Sequence, residues 1–172
     1  MKLESPNFTT SDVEAFLEAL VDEERLILID RLRAAARRAR ELAPRVKAET
    51  GADAGWSAHE VLAHMAVLAK FYGVLTYQIG SGKLTELDLL ANVNLRDVAG
   101  QQMAAETPGT LADSLATDLE RTIAYLEKAR PADLARSAQL THGGSMTAGE
   151  VARLPLCAHL EQHLRQLEAA LS

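Results

Sequence analysis

Two histidines four residues apart carry the strongest chemical signal in this sequence. His159 and His163 project the same way from a helix, displaced by about one turn at ~100° per residue. That is the spacing with which a helix offers two imidazoles to one metal ion, each at about 2.0–2.1 Å. Ala152, Leu156, Leu167 and Ala170 share their side, whereas Arg153, Cys157, Glu161 and Arg165 point elsewhere. The pair therefore faces an expected core, where an unpartnered imidazole is poorly satisfied. His64 has Val61, Leu68, Phe71 and Leu75 on its own side and also points inward. Three inward histidines suit one divalent ion, with water in the remaining positions. Hydrogen-bonded core histidines are the competing reading. Imidazole suits zinc, nickel, iron and copper alike, so the donor type does not set the metal.

Two better-known motifs fail on spacing. His59-Glu60-Val61-Leu62-Ala63-His64 has one residue more than the zinc-protease H-E-x-x-H, which turns its histidines ~140° apart. The E-x-x-H of di-iron bundles is absent. His59 projects away from the core. His142, beside Gly143 and Gly144, is an exposed loop residue or part of a lid. Glu60 is the acid nearest the metal side, ~40° from His64 on a helical wheel. It is also the third residue of a capping box, which explains it without catalysis. Cys157 lies ~160° from His159, so a thiol at this site must come from a small molecule. Tyr72, Tyr77 and Asn94 are candidates for lining the pocket mouth. No residue stands out as catalytic.

Helices must position these residues. A short opening helix is expected from Ser11, where Ser11-Asp12-Val13-Glu14 reads as a capping box, with Val13, Phe16, Leu17 and Leu20 at helical spacing. The first long helix follows from about Asp22 to Ala43, with Leu26, Ile29, Leu32 and Ala36 facing inward and Pro44 at its end. Thr50-Gly51-Ala52-Asp53-Ala54-Gly55 is a break. The second long helix opens with Ser57 and Glu60 as a capping box and runs to about Gln78. Residues 84–105 read as weakly amphipathic helix. The third long helix begins after Thr107-Pro108 and buries Leu111, Leu115, Leu119, Thr122, Ile123 and Leu126, with Pro131 as its stop. Residues 132–145 read as loop, and no strand pattern stands out. The last helix opens at Thr147, three residues before Glu150, and Pro155 should kink it. The fold class is all-α, a four-helix bundle with a short extra N-terminal helix, forming one domain over residues 1–172.

Composition agrees. The 172 residues are 48% hydrophobic but only 4% aromatic, and helix formers dominate. The net charge of −6 argues against gripping a phosphate backbone, so no nucleic acid is expected. Arg31, Arg33, Arg37, Arg38, Arg40, Arg45 and Lys47 spread around a helix and read as a solvated face. A single cysteine allows no internal disulfide. Without an h-region or a long apolar run, no membrane association is expected and a cytoplasmic location is the simplest.

Trp56-Ser57-Ala58-His59-Glu60-Val61-Leu62-Ala63-His64-Met65 resembles the second-helix signature of the DinB/YfiT-like superfamily. His159-Leu160-Glu161-Gln162-His163-Leu164-Arg165-Gln166-Leu167 resembles its closing H-x-x-x-H-x-x-Q-apolar signature. The layout around Asn94 is similar to the branch that includes mycothiol-dependent maleylpyruvate isomerase. The resemblance implies a bundle of up-down-down-up connectivity, a metal site on His64, His159 and His163, zinc or nickel as the metal, and a homodimer. Gln166 matches the family's glutamine, as a support for the site or as packing. The extra C-terminal domain of the isomerase branch is not expected in a chain ending at Ser172. The function so implied is activation of a low-molecular-weight thiol for S-transfer to an electrophilic substrate or for isomerisation. The alternatives are a hydrolase that uses metal-bound water and a non-enzymatic, stress-linked interaction module.

Overall fold

The computed structural model describes residues 9–47, 50–52, 55–88 and 101–172. Helix α1 (Thr10–Leu42) is one continuous helix of 33 residues. Its cap is Thr9, whose side chain accepts from Asp12 N while Asp12 Oδ2 accepts from Thr9 N at 2.6 Å. The start therefore lies ahead of the expected Ser11–Glu14 box, because Thr9 and Asp12 offer the same reciprocal bonds. The separate opening helix is not formed. No glycine or proline falls between residues 10 and 42, so nothing breaks the helix. Leu26, expected inside, is 51% exposed.

Pro44 sits in a 3-10 turn (Ala43–Arg45). Helix α2 (Ala58–Gly80) opens at the expected box, where Ser57 and Glu60 satisfy each other's backbone N–H. A bridge between Gly51 and Ser57 holds the preceding loop closed. Helix α3 (Pro108–Leu126) is capped by Thr107. It ends before Pro131, which instead opens the single turn α4 (Pro131–Leu134). The last helix is capped by Thr147 and has three segments: α5 (Ala148–Val151), a π-helical stretch (Ala152–Ala158) and α6 (His159–Ala170).

Three short strands were not expected. β1 (Glu86–Leu87) runs parallel to β2 (Ser137–Leu140), which pairs antiparallel with β3 (Ser145–Thr147). Glu86 and Leu87 are thus extended rather than helical, and Asn94 lies outside the described residues. Gly143 and Gly144 have φ of 101° and 84°, which permits the tight β2–β3 turn. His142 is exposed at its tip.

The helix order around the bundle is α1, α3, α2, last helix. α1 packs on α3 and α6, and α2 packs on α3 and α6, so α1 and α2 lie on a diagonal. Residue pairing gives the directions. Arg33 meets Glu127 while Arg40 meets Asp113, so α1 and α3 are antiparallel. Arg31 meets Glu161 and Arg38 meets Glu168, so α1 and α6 are parallel. His59 meets Glu106 and Gly73 meets Thr122, so α2 and α3 are parallel. The connectivity is up-down-down-up. Leu32, Leu62, Met65, Leu68, Leu115 and Leu156 are fully buried at the centre, each stabilising the fold by about 1.5–3 kcal/mol. Among the described residues no helix is long and apolar enough to cross a membrane.

Candidate metal centre

The site forms where the first turns of α2 face α6. Ser57 and Glu60 fix the start of α2, and His64 follows one turn later. On the last helix Pro155 has no N–H to donate, and the helix widens to a π turn around it. The backbone N–H of His159 closes this turn on Leu154 O, five residues back. From His159 onward α6 is regular, so His159 and His163 stay on one face.

His64, His159 and His163 each offer one ring nitrogen, and these atoms lie within 4.8 Å of one another. All three residues are half-buried. The Nε2 atoms of His159 and His163 are 2.9 Å apart. This is hydrogen-bond distance, and it lies close to the ~3.3 Å that separates two ligands of a tetrahedral ion bound at ~2.05 Å. Gln166 Oε1 lies 2.8 Å from His163 Nδ1 and accepts its hydrogen, which leaves the Nε2 lone pair toward the site. The donor set is therefore chemically and geometrically suited to one divalent ion. Among the described residues no carboxylate joins the cluster.

Trp56 builds one wall. Its ring meets His64 edge-on at 5.0 Å and lies nearly parallel to His163 at 6.4 Å. Sequence reasoning placed Trp56 in a signature but gave it no contact. Its position directly before the cap of the helix carrying His64 was the available signal.

Several other candidates lie elsewhere. Glu60 Oε2 accepts from Ser57 N at 2.7 Å and from Ser57 Oγ at 2.9 Å. These bonds, the backbone one foremost, hold its carboxyl below the usual glutamate range. His59 Nε2 is bonded to Glu106 O at 2.8 Å, tying α2 to the turn before α3. Tyr72 is buried in the core. Tyr77 lines a groove between α2 and α3 with Tyr125, well away from the histidines. Cys157 was expected to point away from the core, yet it is only 1% exposed. Its side of the last helix packs on α1, where its Sγ lies 3.8 Å from Glu161 Oε1. Burial pushes this thiol up to about 11, so it is protonated and unreactive.

The DinB superfamily model matches residues 8–167. The chain belongs to the DinB superfamily. Two solved structures share its fold, those of the mycothiol-dependent maleylpyruvate isomerase and of a histidine-to-alanine mutant of that enzyme. The first is 17% identical and the second 16%, each with a TM-score of 0.63 over 85% of this chain. This DinB-superfamily chain spans 60% of the length of either. No curated protein sequence matches it.

Proposed function

We propose that His64, His159 and His163 hold one divalent metal ion and that the centre activates a low-molecular-weight thiol for S-transfer or isomerisation of an electrophilic small molecule. The observation that carries this reading is the convergence of three ring nitrogens within 4.8 Å at a half-exposed site. The thiol-dependent activity named for the structural neighbours supports it. A bound divalent ion would lower the pKa of a thiol and make thiolate available near neutral pH. The chain's own residues supply the rest. The three imidazoles hold the ion, Gln166 orients His163, and Trp56 shields the site from one side. Cys157 is buried on another face, so the reacting thiol belongs to a bound molecule such as mycothiol or a similar thiol. A hydrolytic reading needs a general base. Glu60 is committed to its cap, which favours the thiol reading.

Elemental mass spectrometry of the purified protein tests the centre, with zinc and nickel measured first. About one equivalent is expected in the parent and none in a His159→Ala/His163→Ala variant. A parent that stays metal-free after reconstitution, or a variant that retains its metal, would overturn the assignment. Metal-loaded protein is then assayed with a panel of small thiols and electrophiles. Transfer that is unaffected by His159→Ala would refute the role of the centre.

A further inference from the structure

The outer side of the α2–α3 pair carries a groove that the metal centre does not use. Two glycines on one face of α2, Gly73 and Gly80, shape it. A methyl group at Gly73 would collide with Thr122 Oγ1, and one at Gly80 with Tyr125 Oη. The two helices therefore approach closely, and the tip of Tyr125 tucks under the end of α2. Its hydroxyl is buried there, with no hydrogen-bond partner among the described residues. The Tyr125 ring is left as part of the groove wall. Tyr77 meets it edge-on, with ring centroids 5.4 Å apart. Val74 continues the apolar floor, and Val74 and Tyr77 are 47% and 41% exposed. The groove holds about 450 Å³, within the ~300–1,000 Å³ of small-molecule sites. Gly73 lies ~13.5 Å along α2 from His64. It faces α3, whereas His64 faces α6, so the groove and the metal centre are separate.

The charges around the groove are unbalanced. Lys70, Arg121 and Lys128 line it against one acid, Asp118. Arg121 Nη1 is 2.7 Å from Asp118 Oδ1, so that acid is already matched. Glu127, next to Lys128 in the chain, is held by Arg33 of α1. Neither Lys70 nor Lys128 makes an ion pair among the described residues. In a chain of net charge −6 the groove is thus a positive patch. Its two ends differ. Asp118 sits at the Lys70 end. Beyond the Gly73–Thr122 contact, Tyr125 lies ~4.5 Å and Lys128 ~9 Å further along α3, so Lys128 follows the aromatic floor by about one turn. Lys83 adds charge at that end, with Nζ 2.6 Å from Tyr77 Oη and 4.7 Å from the ring centroid.

We propose that this groove binds a small aromatic carboxylate, its ring against Val74, Tyr77 and Tyr125 and its carboxylate on Lys128 Nζ. Aromatic walls favour a flat ring over an alkyl chain. A lysine at the end of the floor supplies a flexible point charge for one carboxylate. Lys70, at the far end beside Asp118, contributes only long-range attraction. The site rests on neither the metal nor the thiol reading.

Isothermal titration calorimetry of the full chain with 2-naphthoate tests the groove. One equivalent should bind with sub-millimolar affinity. A carboxylate can also ligate a metal ion. The titration is therefore repeated on His159→Ala/His163→Ala, which should bind equally well. Binding lost in that variant would place the ligand at the histidines and overturn the proposal. Lys128 is exposed, so Lys128→Gln should keep its melting temperature while binding weakens about tenfold. Lys70→Gln should weaken binding less than about threefold. Naphthalene-2-methanol, without the charge, and octanoate, without the ring, should both bind at least about tenfold more weakly than 2-naphthoate. Undiminished binding of either compound, or of 2-naphthoate by Lys128→Gln, would overturn the proposal. So would a parent that shows no saturable binding at millimolar 2-naphthoate. Within that outcome, a dimeric parent made monomeric by Tyr77→Glu would identify a second copy as what covers the groove.

Discussion

His163 is engaged at both ring nitrogens. Nε2 faces the other histidines, and Nδ1 is held by Gln166 one turn further along α6. Fixing the tautomer and the ring plane in this way raises the affinity of an imidazole for a metal. Gln166→Leu keeps the volume and removes the acceptor. It should weaken metal binding about 10–100-fold with little change in melting temperature, as read by competition with a chromophoric chelator. Unchanged affinity would show that Gln166 is packing alone. Trp56 supplies a second readout, because it is the only tryptophan in the chain and its ring lies 5.0 Å from that of His64. Its emission should change on adding metal, saturate at one equivalent, and fail to respond in His64→Ala. The His159–His163 pair was legible in the sequence because helical periodicity places side chains four residues apart on one face; His64 was legible as an inward residue of another helix from its apolar neighbours, and the fold brings it to the pair. Trp56 was not legible, because it lies in a loop whose path depends on the Gly51–Ser57 bridge and on the bond from Ala58 N to Thr50 O.

At the scale of elements, the site depends on how α2 crosses its neighbours. Gly73 lets α2 and α3 approach until a methyl group at that position would collide with Thr122 Oγ1. This contact sits on the side of α2 away from α6 and sets how far α2 stands from α3. Gly73→Ala should lower stability by about 1–3 kcal/mol through overpacking, offset by up to ~1 kcal/mol of helix propensity. Thr122→Ala removes the colliding oxygen, so the double variant should recover most of the loss. Additive losses in a thermal or urea double-mutant cycle would argue against the contact. The helix starts at Ser57 and Thr147 were legible from local capping chemistry, whereas the third long helix was expected only after the Thr107-Pro108 break and Thr107 proved to be its cap. The start of α1 was less legible, because Thr9–Asp12 and Ser11–Glu14 both satisfy the pattern and the structure uses the first. The β-sheet was not legible at all. Its strands have two, four and three residues, too short for alternation to register, and the β1–β2 pairing joins segments about fifty residues apart.

Across the whole molecule, the arginines of α1 fasten the bundle together. Read from sequence they form a solvated face. In the structure Arg33 and Arg40 reach acids on α3 while Arg31 and Arg38 reach acids on α6. The reason lies in the connectivity. With α2 on the diagonal, α1 has neighbours on two sides, and its charged flanks border both. A single helix pattern cannot reveal that arrangement. Arg31 is the most enclosed of these pairs, with Nε and Nη2 each 2.7 Å from an oxygen of Glu161. This bond holds the Glu161 carboxyl below the usual range, and Arg130 likewise holds Asp133 down to about 2. Glu60 and Glu150 are lowered by their caps. A carboxyl whose folded pKa is depressed binds protons less readily folded than unfolded. Its stabilisation is complete above the unfolded value of ~4 and is lost as pH falls through the folded value. Stability should therefore be flat in this respect above about pH 5 and fall between about pH 4.5 and 2. Glu161→Gln removes one contributor, and the loss at pH 7 should be about 1 kcal/mol for a partly exposed charged bond. As pH falls toward 3 the parent loses the same contribution, so its unfolding curve should converge on that of the variant. Urea unfolding of both at pH 7, 5, 4 and 3 checks this. A gap that stayed constant across the series would mean that Arg31–Glu161 acts through packing and not through charge.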